Sequence, residues 1–452
     1  MLACAWCAGE VVVSSPSPAE VYAAKFTTAD KAVAAIADGE TVSAGMAIGQ
    51  PPALLAALAN RLRANDLKRI RLYYKIAMEP LAKTLLAEDV LEKIDAHSFF
   101  MGRLDHEIVK KQAKTGRKLV SFVPVHFSQI PRLFEEIIKL DTFVVTASPM
   151  DKAGFLSLGT NNDFASVAAR RAKRLIVEVN RNMPRVFGQS HIHVSEVSAV
   201  VENHVPLIEA GAAEPSAEGR IIGGLVAPMV PNGATIQLGI GKIPSGVAVA
   251  LEKHSDLGIH TELFSPAMAD LIRKGVVTGN RKTLHPRKHV YTVAFGTTDS
   301  YAFMNDNPAF ESYPSSYVND IRTIARHDDF ISINTAIEID LYGQVNAEFI
   351  GEHEYSGSGG QFDFVKGSSL ARRGKSIIAI QSTAKKGTVS SIVPKVAMVT
   401  DVRMDVEWVV TEHGAVNLRG KSTKERAEAL IGIAHPDFRG ELTAAARKVT
   451  LI

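Results

Sequence analysis

Short apolar runs alternate along the chain with stretches of helical spacing. The runs at 143–146, 175–179, 290–294 and 377–380 are continuous, the pattern of strands buried on both faces. Between them, apolar residues recur at helical spacing, as at 53–62 and 245–251. Pro52 and Pro244 precede or open these two helices, where the first turn has no use for a backbone N–H. The alternation predicts an α/β fold of open, mostly parallel sheets covered by helices.

The pattern also repeats. Thr41-Val42-Ser43-Ala44 runs into Gly45 and Gly49 and then a helix, and Thr235-Ile236-Gln237-Leu238 runs into Gly239 and Gly241 and then a helix. The segment ARRAKRLI from Ala169 matches ARRGKSII from Ala371, and Val197, Val200, Val201 and His204 match Val406, Val409, Val410 and His413. Phe143 and Phe330 each open an apolar strand after an acidic turn, and the matches keep one order. Two tandem, duplicated open α/β domains are therefore expected, at 22–212 and 213–452, with the boundary in the GAAEPSAEG stretch. Ligands of such sheets sit beyond the carboxyl ends of strands, so the site is expected at the interface of the two halves. Residues 1–21, apolar and then Ser/Pro-rich, are expected to be a disordered extension.

A length of 452 residues agrees with two domains. The net charge of +3 is too small and scattered for nucleic acid or an acidic membrane to be the main partner. No run approaches the ~18 apolar residues of a membrane-spanning helix. The two cysteines, Cys4 and Cys7, lack the second ligand pair of a zinc site, and no disulfide braces the rest of the chain, which suits a cytoplasmic protein.

Three segments are candidates for chemistry. QLGIGKIPSG, from Gln237, is a strand-to-helix turn suited either to close backbone approach by an anion or simply to a tight turn; it is neither a Walker loop nor a dinucleotide fingerprint. Ser356 to Phe364, SGSGGQFDF, carries three glycines in four residues, whose N–H groups can form a nest for an oxyanion or phosphate. Gly258 to Leu263, GIHTEL, places Glu262 at the carboxyl end of a short strand, where a carboxylate is either a solvated rim residue or, held out of water, a nucleophile. His126, His191 and His193 are read as structural rather than as metal ligands.

These motifs resemble the acetyl-CoA hydrolase/transferase family, through LGIHTELFSPAMADLIRKGVVTGNRK, EYSGSGGQFDFVKG, VVTEHGAVNLRGKSTKERA and, in the first half, VPVHFSQIP and NRNMPRVFGQSHIHVS. The resemblance spans Tyr22 to the C-terminus. It implies two CoA-transferase domains and transfer of CoA between carboxylic acids through a thioester on Glu262. It places CoA on Gln237, Leu238, Gly239, Ile240 and Gly241, on Asn334 and Ile337, and on Gly359 and Gly360. Asn319, with Gly360, is implied to polarise the reacting carbonyl, and Lys385 and Lys386 to neighbour the CoA phosphates. Coenzyme A enters as substrate, with no permanently bound cofactor and no metal. The acid is expected to be short: 4-hydroxybutyrate, butyrate, acetate, or a dicarboxylate such as itaconate or succinate, for which Arg103, Arg185 and His191 are candidate second-carboxylate ligands. An acyl-CoA hydrolase using the same glutamate and a non-catalytic CoA-binding protein are the alternatives. A homo-oligomer is expected.

Overall fold

A computed structural model describes residues 15–452, so most of the expected extension, with Cys4 and Cys7, lies outside the described residues. Among the described residues the first helix starts at Pro18, earlier than the expected start of the first domain at residue 22. Ser17 caps the helix Pro18–Lys25: its Oγ accepts from the Glu20 N–H while the Glu20 carboxylate accepts from the Ser17 N–H at 2.7 Å. A Ser-x-x-Glu capping box is thus what the Ser/Pro content concealed. Tyr22 fastens this helix to the first sheet by donating to Glu202 at 2.7 Å.

The two halves share one topology. The first sheet runs Ala199–Glu202, Arg174–Val179, Thr142–Ala147, Thr41–Ala44, Ile70–Tyr74, Ile94–Ser98, Val120–Phe122, all parallel. The second runs Trp408–Thr411, Lys375–Ala379, Phe330–Asn334, Thr235–Leu238, Gly258–Phe264, His289–Ala294, Phe310–Ser312 in the corresponding order and again parallel. Two edge strands enlarge it. Gly414–Asn417 adds antiparallel at one end, and Phe187–Gly188, from the first half, pairs with Phe310–Ser312 at the other. The halves are therefore stitched together rather than cleanly separate.

Hydrogen-bond register refines the repeat. The Gly45 N–H reaches the Val144 carbonyl, and the Gly239 N–H reaches the Ile333 carbonyl, so Val144 corresponds to Ile333. Phe143 is then the counterpart of Ser332 rather than of Phe330. Composition found the strand but not its register, because both candidate residues follow an acidic turn. Val200 and Val409 do correspond, pairing with Val177 and Ile378.

In both sheets the strand that follows the first Gly-rich turn is continued by neighbours on one side, and the chain then returns to the other side. In the second sheet this reversal falls between Thr235–Leu238 and Phe330–Asn334. A crevice at such a reversal, outside the carboxyl ends of strands, is where open α/β sheets take ligands. Among the described residues, no helix is long and apolar enough to cross a membrane.

Candidate active site

Glu262 lies near the carboxyl end of the strand Gly258–Phe264. This strand pairs with Thr235–Leu238 only at Gly258 and Ile259, and its separation beyond that point leaves room for a ligand. The resulting cavity, about 320 Å³, is lined by both halves: Lys75, Ile76 and Phe100 from the first, Glu262 and the Gly-rich segments from the second.

Three features hold the Glu262 carboxylate. Asn319 Nδ2 donates to its Oε2 at 2.8 Å. Asn319 is fully buried at the C-terminal end of the turn Ser315–Val318. That turn is in turn fixed to the glutamate strand by His260, whose Nε2 meets the Val318 carbonyl at 2.8 Å. His260 and Glu262, two residues apart, share a strand face, so one strand sets both the glutamate and its donor. Burial, then the Lys282 charge, pushes the His260 pKa down to about 3, which keeps the imidazole neutral.

The second feature is Gly360, which caps the helix Gln361–Leu370. A Cβ on Gly360 would collide with Glu262 Oε2 and Asn319 Nδ2, so only glycine lets the carboxylate reach this helix N-terminus, where the macrodipole favours a negative charge. Gly359, at φ +53°, turns the chain here, and the N–H groups of Gly359 and Gly360 have no acceptor among the described residues. The third feature is the buried ammonium of Lys75, whose charge and that of Glu262 attract.

The glycine loop is anchored across the halves. Phe127 N–H donates to the Gly359 carbonyl at 3.0 Å, and Met101 N–H to the Ser356 carbonyl at 3.2 Å. Asp363, in the first turn of the helix, receives Ser128 N–H at 3.1 Å and Ser128 Oγ at 2.8 Å. Burial pushes its pKa up to about 7, and the Glu262 charge pushes the same way, which limits a second negative charge beside Glu262.

Gln237 and Asn334 meet across the reversal point, Gln237 Nε2 donating to Asn334 Oδ1 at 3.2 Å. Gln237 Oε1 and Asn334 Nδ2 are buried without partners among the described residues. Both residues line the cavity. Leu238, Gly239, Ile240, Ile337, Gly359 and Gly360 line the same cavity. Gly241 instead lines an adjoining, mostly apolar cavity of about 310 Å³, with Leu238, Gly239, Pro244 and Phe295.

The other candidate residues lie away from this cavity. Lys385 and Lys386 lie on an exposed turn and do not line the cavity. Arg185 is committed to ion pairs with Asp151 and Asp306, at 2.7 and 2.9 Å. His191 faces a different depression beside Phe155 and Arg170, and Arg103 is absent from the Glu262 cavity. These cations sit at motif edges that the fold turns elsewhere. His126 stacks on Phe362 with ring centroids 4.5 Å apart, and His193 contacts Ser195 at 2.7 Å. Among the described residues, no group of His, Cys, Asp and Glu is arranged to hold a metal. Lys75 and Phe100 were missed in the sequence.

The site has the parts of an acyl-transfer centre: a fixed carboxylate, donors for an oxyanion, and a cleft between domains. Comparison with known proteins defines the class. Residues 15–209 match the acetyl-CoA hydrolase/transferase N-terminal domain and residues 296–446 its C-terminal domain, with Glu262 between the two matched stretches. The chain belongs to the acetyl-CoA hydrolase/transferase family, and its relatives along nearly the full length are CoA-transferases. It is 40% identical to a 4-hydroxybutyrate coenzyme A transferase of Clostridium kluyveri, covering 94% of this chain and 97% of that one. It is 38% identical to a succinyl-CoA:cyclohexane-1-carboxylate CoA transferase of Geobacter metallireducens, covering 95% and 97%. The crystal structure of RipA from Yersinia pestis superposes with a TM-score of 0.94 at 46% identity, covering 97% and 100%.

Proposed function

We propose that this protein is an acyl-CoA:carboxylate CoA-transferase in which Glu262 carries CoA as a thioester. The observation that supports this reading most is the setting of the Glu262 carboxylate, bonded to Asn319 and seated against the Gly360 helix N-terminus inside an inter-domain cavity. Glu262 attacks the acyl-CoA thioester, giving an acyl-glutamyl anhydride and CoA thiolate. The thiolate adds to the glutamyl carbonyl and the acid leaves, so Glu262 holds CoA. An acceptor carboxylate then runs these steps in reverse. Carboxylates attack already ionised, so the chain's task is to stabilise each tetrahedral oxyanion, through Asn319 Nδ2 and the Gly359 and Gly360 N–H groups.

Gln237 and Asn334, amide side chains lining the cavity at the strand reversal, are of the chemistry that bonds an amide such as those of the pantetheine arm. The acid is a short carboxylic acid of the size of acetate, butyrate, 4-hydroxybutyrate, succinate or itaconate. The test measures loss of acyl-CoA with and without such an acid. Acid-dependent transfer far faster than hydrolysis, abolished by Glu262→Ala, is expected. Equal rates with water alone would assign a hydrolase instead.

A further inference from the structure

Lys75 is a buried cation whose close partners among the described residues are aromatic rings rather than hydrogen-bond acceptors. Its side chain is only 1% exposed, yet among the described residues its ammonium donates no hydrogen bond and has no carboxylate at ion-pair distance. Its Nζ lies 2.8 Å from the centroid of the Phe127 ring and 5.6 Å from that of Phe100. A lysine is seldom buried this fully unless it is paired.

The repeat explains its position. Thr41 pairs with Arg71 in the first sheet, and Thr235 with Gly258 in the second. Lys75 stands four residues beyond Arg71 and Glu262 four beyond Gly258, so the two occupy one position in the duplicated plan. Each half thus delivers one charge, of opposite sign, from the same strand end into the same cavity. The backbone next to Lys75 is also under constraint. Ile76, which lines the cavity too, adopts φ +52°, a conformation that β-branched residues rarely take and that persists where surroundings enforce it. Phe100 O accepts the Ile76 N–H at 3.2 Å, and Gln50 Nε2 donates to Ile76 O at 3.0 Å.

We propose that the Lys75 ammonium is the receptor for the reacting carboxylate of the incoming acid, drawing it in when Glu262 has become a thioester. The inference rests on the reading of Glu262 as the CoA carrier. In the free protein Glu262 is the strongest of three carboxylates that attract Lys75, ahead of Asp163 and Asp363. Conversion of Glu262 to a thioester removes that negative charge and leaves the buried cation in need of an anion. The incoming carboxylate supplies it. Its oxygen then bonds to the glutamyl carbonyl carbon, the C–S bond breaks, and CoA leaves as thiolate. The thiolate bonds to the acyl carbon of the anhydride, and the C–O bond breaks to return the electron pair to Glu262. No proton is exchanged, and one negative charge stays beside Lys75 throughout.

This charge balance separates the half-reactions. Loading by acyl-CoA begins with ionised Glu262, so Lys75 faces one negative charge before, during and after the transition state. Discharge begins with a neutral thioester and an acid in solution, so only there does the cation add to the driving force. The experiment loads wild type, Lys75→Met and Lys75→Gln with acetyl-CoA, follows the CoA adduct by intact mass, and then adds acetate, butyrate or succinate. Both variants are expected to load, to retain more adduct, and to discharge roughly 10- to 100-fold more slowly with all three acids, a larger factor than any slowing of loading. Unchanged discharge would overturn the proposal, as would failure of both folded variants to load. A defect confined to succinate would overturn it in favour of a receptor for a distal carboxylate. Absence of adduct in wild type would overturn the Glu262 reading and this inference with it, whereas normal wild-type loading with unaffected discharge overturns the inference alone.

Discussion

The two halves place the same strand, turn and helix in the same order, but their Gly-rich turns have opposite fates. In the first half, Met46, Ala47 and Ile48 are buried and the turn is closed on itself, since a Cβ on Gly45 would strike the Gly49 carbonyl. In the second, Ile240 is 60% exposed and Gly239 and Ile240 line both cavities. The strand ends differ in the same complementary way, Lys75 in one half and Glu262 in the other. One copy of the plan keeps its crevice open for ligand, while the other fills its own and contributes a cation and aromatic rings to its sibling's site. The Glu262 cavity is a property of the pair.

The largest effects expected on this asymmetry come from the support of Glu262. Asn319→Ala removes the side-chain donor to Glu262 and should lower kcat by roughly a hundredfold or more. Gly360→Ala, which forces Glu262 and Asn319 apart, should cost roughly a hundredfold through misplacement. Steady-state kinetics check both, and a near-normal kcat in either would break the account of the site.

The next effect is pH. Burial lowers the Lys75 pKa to about 8, with Glu262, Asp163 and Asp363 opposing the shift. The inference needs the protonated form, and the thioester lacks the Glu262 charge that raises the Lys75 pKa, so kcat/KM for the acid should fall with rising pH already below about 8. The alkaline fall should vanish in Lys75→Met.

The smallest effects sharpen the contrast between the turns. A Cβ on Gly49 would lie 3.2 Å from Asn161 Cβ, so Gly49→Ala should cost about 1 kcal/mol of stability and leave KM for acyl-CoA unchanged. A Cβ on Gly239 would meet Pro244 Cγ at an ordinary 3.6 Å, so Gly239→Ala should raise that KM and shift stability by less than about 0.5 kcal/mol. Thermal melts and acyl-CoA titrations distinguish the two.

The alternating apolar runs made the α/β class and the repeat legible, because strands buried on both faces carry a continuous apolar signature. GIHTEL and SGSGGQFDF marked the glutamate and its loop. Register was not legible, since neighbouring apolar residues are interchangeable in composition although hydrogen bonds are not. Lys75 was missed for a related reason. At the end of Ile70–Tyr74 it reads as a solvated rim residue, and only counting from the paired Thr41 and Thr235 reveals it as the partner position of Glu262. Conversely, Arg185 looked suitable by charge, but the structure pairs it with Asp151 and Asp306, and Lys385 lies on an exposed turn outside the Glu262 cavity. Phe187–Gly188 is too short to announce itself as a strand of the other half's sheet.

The central claim is that Glu262 carries CoA, and peptide mapping after incubation with acyl-CoA alone tests it most directly. The account predicts that CoA is found in thioester linkage on the peptide containing Glu262, is released by added acid, and is absent from Glu262→Ala. An acid-dependent transferase that never accumulates this adduct, or carries it on another residue, would contradict the account.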